Sequence, residues 1–302
     1  MQNTARYYLG RVHKAGQLDQ EKLIGAIFNA VSVERRHFNY TFTDAKVFGN
    51  KDEPSFVFAR LAKYKPRGAV DIVRPEEHKE ATADIENMID ASSPFVFIPR
   101  FSGIAYQHIS GRLEKDMFER VFPDLIAKKY NNFFVSCEIE PITDLRTFVA
   151  RLSKLEEVKR LQATVKPPNP LFGVCWAPLK DYLKTRNLEE VTVKEEAQPK
   201  GGINTNIQKI AEIMAQGEGR VEEVKKLLEP YMQGIGDAAV LMAADGYGKA
   251  KIEGVEDEKT VVIHTRDNQK SFVFGKEPTP DELYERAFAE LQAINDERYL
   301  DH

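Results

Sequence analysis

Residues 164–190, TVKPPNPLFGVCWAPLKDYLKTRNLEE, restrict the fold more than any other stretch of the chain. Proline cannot donate to a β-ladder, so Pro167 and Pro168 end the strand read over Val158–Val165. The residue before each proline is pushed to extended geometry, and "KPPNP" therefore reads as a stiff arm that fixes where the next element begins. Pro178 suits the first turn of a helix, with Leu179, Tyr182 and Leu183 as its apolar edge. Lys180, Lys184 and Arg186 fall on the other side, and Asn187 is a left-handed cap. Trp176, the one tryptophan, reads as a buried plug ahead of that helix.

Around this arm the chain alternates strand and helix patterns. "RYYLGRVH", "YTFTDAKVFG", "SFVFARLAKYK" and "NNFFVSCEIEPI" read as strands, the second and third pairing across "NKDEP". "PFVFIPRFSGIAYQHI" reads as two strands broken at Pro99–Arg100. "DQEKLIGAIFNAV", "EKDMFERVFPDLIAKKY", "TDLRTFVARLSKL", "INTNIQKIAEIMAQG" and "RVEEVKKLLEPYM" carry apolar residues at helical spacing. "RPEEHKEATADIENMIDASSP" is read as a helix with Ile85, Met88 and Ile89 inward. Ala238–Ala243, Gly248–Glu253, Thr260–Thr265 and Ser271–Phe274 are read as strands, with Asp245-Gly246 as the turn of a hairpin. Thr279–Glu282 forms a capping box with Pro280 at the first helical position. The expected class is α+β, with mixed, mainly antiparallel sheets and flanking helices. Two domains are expected, residues 1–142 and 143–302, because a chain of 302 residues is long for one core.

Composition narrows the function classes. No apolar run reaches the ~20 residues of a membrane helix, and the start lacks an apolar signal core, so a cytoplasmic protein without membrane contact is expected. Two cysteines, Cys137 and Cys175, sit among apolar residues as buried small side chains, in keeping with a reducing compartment. None of the six histidines pairs at helical spacing, so no metal site is expected, and no cofactor motif occurs. "ADGYGKAKIEG" lacks the upstream glycine and the hydroxyl after lysine that a P-loop needs. A nucleophile elbow and the kinase signatures are absent. No catalytic residue is assigned.

Charge is distributed unevenly. The net charge is −4, yet residues 1–75 hold 13 Lys+Arg against 7 Asp+Glu. Lys63, Lys65 and Arg67 alternate along a strand, which sets them ~6.6–7 Å apart on one face. That interval is close to twice the ~3.4 Å axial spacing of phosphates along one DNA strand. Arg35 and Arg36 form a second cluster, read as following a helix C-terminus. Arg160 and Lys166, with Lys159, extend the stripe. These seven residues, Arg35, Arg36, Lys63, Lys65, Arg67, Arg160 and Lys166, are the expected nucleic-acid contacts, made to the backbone and not to base edges. Two alternatives stand beside this reading. One is a Mg²⁺-dependent nuclease using Asp144, Glu157 and Lys159, or Asp245 with the cluster Glu256–Lys259. The other is a protein–protein adaptor whose acidic half meets a basic partner.

The segment "RLSKLEEVKRLQATVKPPNPLFGVCWAPLKDYLKTRNLEE", followed by "GYGKAKIEG", resembles the DUF4747-like bacterial proteins. The layout is also similar to the RexA-like phage-exclusion proteins, with "PFVFIPRFSGIAYQHI" and "VSCEIEP" as the matching strands. The resemblance covers residues 90–254, and its motifs are structural. It implies a role in phage defence, sequence-tolerant binding of duplex DNA, a homodimer and a partner protein from a defence operon.

Overall fold

Strand β1 (Ala5–Gly16) is long enough to serve three neighbours. Residues 6–11 pair with β6 (Gly103–His108), while residues 5–8 pair with β13 (Ser271–Phe274) and residues 10–16 with β7 (Val135–Pro141) on the opposite edge. From β6 the sheet continues through β5 (Lys79–Ile98), β4 (Pro54–Arg74) and β3 (Phe38–Gly49) to β2 (Val33–Arg35), every pairing antiparallel. A second antiparallel sheet runs β10 (Val191–Glu196), β8 (Glu157–Val165), β11 (Gly248–Glu256), β12 (Lys259–His264). Among the described residues β9 (Phe172–Gly173) pairs with β14 (Leu300–Asp301) alone. The structure, a computed structural model, describes residues 4–50, 54–76, 78–167, 172–173, 179, 182–183, 185–186, 188–216, 221–231, 234–297 and 300–301.

Helices cover both faces of the large sheet. α1 (Gln20–Phe28) and α2 (Lys115–Lys129) bury Leu23, Ile27, Phe118, Phe122 and Leu125 against Phe42, Leu61, Phe95 and Phe97. Asp19 caps α1 by accepting from the Lys22 amide, a typical N-cap bond. The other face takes α7 (Pro280–Glu297), whose Tyr284 ring stacks on Phe56 at 4.1 Å between centroids. The capping box at its start forms as the sequence indicates, Thr279 and Glu282 bonding reciprocally. This second core runs on into the small sheet, where Leu161, Ala163, Ile252 and Ile263 meet α3 (Leu145–Leu152), α4 (Ile207–Gln216), α5 (Val221–Leu228) and α6 (Ile235–Met242). The fold is α+β. Residue 142 does lie between the strands of the large sheet and α3, but β13 and α7 return from the C-terminal half to the large sheet.

Three local expectations change. Residues 79–94 belong to strand β5, not to a helix, and run on into the expected strand at Phe95–Ile98. Ile85 and Ile89 fit a helical period, but Ala81, Ala83 and Ile85 fit a strand period equally, and the pairing of β4 along its whole length decides the matter. Residues 238–242 belong to helix α6, not to a strand: Ala238, Ala239, Val240, Leu241 and Met242 are all buried. A helix apolar on every side gives no amphipathic period to read. Asp245-Gly246 is accordingly not a hairpin turn. It lies in a single π-helical turn, Ala243–Tyr247, that carries the chain from α6 into β11. Of the proline-rich stretch, Val165 is buried and Lys166–Pro167 leave β8 as expected, and Leu179 and Leu183 are buried while Tyr182 is 45% exposed. Pro168, Pro170, Trp176 and Pro178 lie outside the described residues.

Candidate nucleic-acid interface

The cations of the N-terminal segment meet at one corner of the large sheet. Arg35 closes β2 opposite Phe38, and the next strand over brings Tyr64 opposite Asn39. The Phe38 ring is the centre of the group. Lys63 Nζ lies 4.0 Å from its centroid and Lys65 Nζ 5.7 Å, both within cation–π range. Arg67 follows two residues along the strand. Arg35 and Arg36 lie at a strand end, not at the expected helix C-terminus. Arg35 ends β2 and Arg36 opens the β2–β3 turn, in the left-handed region at φ 57°.

Carboxylates neutralise part of this corner. Arg35 is paired with Asp124 of α2. Lys63, 12% exposed in its side chain, is paired with Asp90 at 2.8 Å and donates to the Arg112 carbonyl at 2.9 Å. Arg36 and Arg67 are exposed, Lys65 is half-buried, and none of the three has a carboxylate partner among the described residues.

Arg160 and Lys166 are elsewhere. Arg160 lies on β8 in the small sheet and Lys166 directly follows that strand, so they do not prolong the row on β4. Arg160 is held between Glu196 at 2.5 Å and Glu253 at 2.7 Å. Its bond to Glu196 raises the guanidinium pKa, and the same bond lowers that of Glu196. Lys166 is paired with Glu138 at 2.6 Å. Burial works to raise the Glu138 pKa, but the hydrogen bond and charge of Lys166 outweigh it and the carboxyl is lowered.

The corner sits at the root of an arm. β3 pairs with β4 only as far as Tyr64, and β6 pairs with β5 only from Phe95 onward. Between these limits residues 65–74 and 79–88 run on as a two-stranded ribbon, turning at Pro75–His78. At ~3.3 Å per residue the ribbon is ~33 Å long. Its distal ladder has two unlike faces. Arg67, Asp71, Glu80, Asp84 and Glu86 share one, and Val70, Ile72, Ala81, Ala83 and Ile85 share the other. Sequence reasoning misses the arm because its returning half, β5, also fits a helical period. The signal was present as an alternating run on both sides of a polar turn.

The residues of the nuclease alternative are not gathered. Asp144 caps the N-terminus of α3, accepting from the Thr147 amide, and Glu157 follows the other end of that helix, paired with Lys159. Asp245 is buried in the π turn, away from solvent. No group of three or more His, Cys, Asp or Glu side chains suited to a metal ion occurs among the described residues. No helix among them is long and apolar enough to cross a membrane.

No curated protein matches the chain. A family model described as Domain of unknown function (DUF4747) matches residues 21–227, a span that takes in the cation corner, the whole arm and strands β2 to β10. With more than half of its length matched, the chain belongs to the DUF4747 family.

Proposed function

We propose that the protein binds nucleic acid through the sugar–phosphate backbone, with duplex DNA favoured, at the root of the β4–β5 arm. The observation that carries this reading is the placing of Arg36, Lys65 and Arg67, cations without carboxylate partners among the described residues, where a two-stranded ribbon leaves the sheet. Arg35 and Lys63 serve as supports: their charges are already met by Asp124 and Asp90, and they hold Phe38 and the strand ends in place. Beyond Arg67, whose neighbour across the ladder is Glu86, the ribbon carries Asp71, Glu80 and Asp84, so phosphate contact is confined to the root. Three contacts without base readout give weak, sequence-tolerant binding, on the order of 10⁻⁴–10⁻⁶ M at physiological salt. A phage-defence role rests on the resemblance to exclusion proteins. A cytoplasmic setting fits the free, buried thiol of Cys137.

Fluorescence anisotropy with labelled duplexes of unrelated sequence tests the reading. The triple variant R36A/K65A/R67A is expected to lose binding to all of them alike. R160A/K166A is expected to keep it, since those two cations are held by Glu196, Glu253 and Glu138. Unchanged affinity in the triple variant, or loss in the β8 pair alone, overturns the assignment.

A further inference from the structure

The distal ribbon is incomplete by itself. An isolated two-stranded hairpin is marginal in water, and stability ordinarily needs a third strand or a packed face. Beyond Tyr64 the outer edge of β4 has no strand partner among the described residues. The apolar face is also open: Ile72 is 39% exposed and Ile85 41%. Met88 extends this face toward the root, its side chain lying against the space above Gly68. Unpaired edges of this kind are templates for a further strand.

We propose that the outer edge of β4 pairs with the same edge of a second copy, antiparallel, about a two-fold axis at Ala69. Charge selects both the edge and the register. Centred on Ala69, Arg67 of each copy lies opposite Asp71 of the other, and Gly68 lies opposite Val70. Asp71 now accepts only the Thr82 hydroxyl, at 3.1 Å, and Arg67 has no carboxylate partner among the described residues. Opposite charges directly across an antiparallel pair stabilise it, and like charges do the reverse. The β5 edge fails this criterion, because Glu80, Asp84 and Glu86 would meet their own kind. The β4 pairing produces a four-stranded ribbon, apolar on one face, with the two copies of Lys65 four residues, about 13 Å, to either side of the axis. Two such edges bury less than the ~1,200 Å² of a stable complex, so the dimer is expected to be reversible and to depend on protein concentration.

Sedimentation velocity over a concentration series, without nucleic acid, tests the proposal separately from any DNA affinity. Wild type is expected to move from monomer to dimer. D71R should weaken association roughly tenfold by setting two arginines opposite each other on both sides of the axis. The swap R67D/D71R should restore it, which a merely misfolded arm would not do. In a C175S background, Ala69→Cys should form a disulfide-linked dimer under mild oxidation much faster than Thr82→Cys, which lies on the other strand of the same arm. Wild type that stays monomeric, a dimer indifferent to D71R, open-ended association, or equal crosslinking of the two cysteine variants overturns the proposal.

Discussion

Replacing Arg11 tests how the two halves of the chain are joined. Arg11 is fully buried on β1, and its guanidinium reaches three separate parts of the fold. Nε donates to the Asp245 carbonyl at 2.8 Å, Nη1 to the Phe101 carbonyl at 2.7 Å, and Nη2 to Asn295 Oδ1 at 3.1 Å. Its carbon lies 4.9 Å from the Tyr247 ring centroid. One side chain thus ties β1 to the π turn, to the 3₁₀ turn before β6 and to α7. Hydrogen bonds to a charged group contribute about 1.5–3 kcal/mol each, and truncation also leaves buried acceptors without donors. Against this, removing a buried guanidinium relieves its desolvation cost. The balance for Arg11→Ala is a loss of about 4 kcal/mol. At about 2 °C per kcal/mol for a chain of this size, the melting temperature should fall by about 8 °C. Differential scanning calorimetry reads the shift, and hydrogen exchange of the α7 amides should rise with it. A shift below about 2 °C, with α7 protection unchanged, would refute the joint as described.

Two further outcomes follow from single positions. Gly248 has φ +147°, and a Cβ there would stand 2.1 Å from the Thr164 carbonyl oxygen, so Gly248→Ala should cost about 3 kcal/mol in denaturant unfolding by forcing β8 and β11 apart; a neutral effect contradicts the close approach. His13 is half-buried, with Nε2 2.6 Å from the Gly246 carbonyl, and desolvation of the ring holds its pKa at about 4 against the ordinary 6.5. Between those values the unfolded chain takes the proton and the folded chain does not, so His13 makes stability fall as pH drops through that window, by up to about 3 kcal/mol. His13→Gln should therefore show a smaller loss of melting temperature between pH 7 and pH 4.5 than wild type, and an identical loss counts against a neutral, desolvated imidazole.

The fold was legible where one face of an element is buried and the other is wet. The spacing in Leu145, Phe148 and Leu152 marks α3, and the alternation in "VKRLQATV" marks β8, because each meets solvent on one side. It was illegible where an element is buried all round or exposed all round. α6 has no polar stripe to give a period. The outer half of β5 has little burial to impose one, and its strand character comes from pairing with β4, a partner the local sequence does not contain. The site shows the same division. Alternation placed Lys63, Lys65 and Arg67 on one strand, but nothing local shows that Asp90 closes over Lys63, or that β8 takes Arg160 and Lys166 to another sheet. Neutralising partners are long-range facts, and they decide which cations remain available.

The salt dependence of duplex binding reads the cation corner most directly. Each phosphate neutralised by a cation contributes about −0.9 to the slope of log K against log salt, so at protein concentrations where the chain is monomeric and Arg67 is not paired with a second copy's Asp71, Arg36, Lys65 and Arg67 together should give about −2.7. Removing the three should flatten the slope nearly to zero, while Arg160→Ala, whose charge is already held by Glu196 and Glu253, should leave it unchanged. A triple variant with the wild-type slope, or a wild type whose binding ignores salt, would contradict the account.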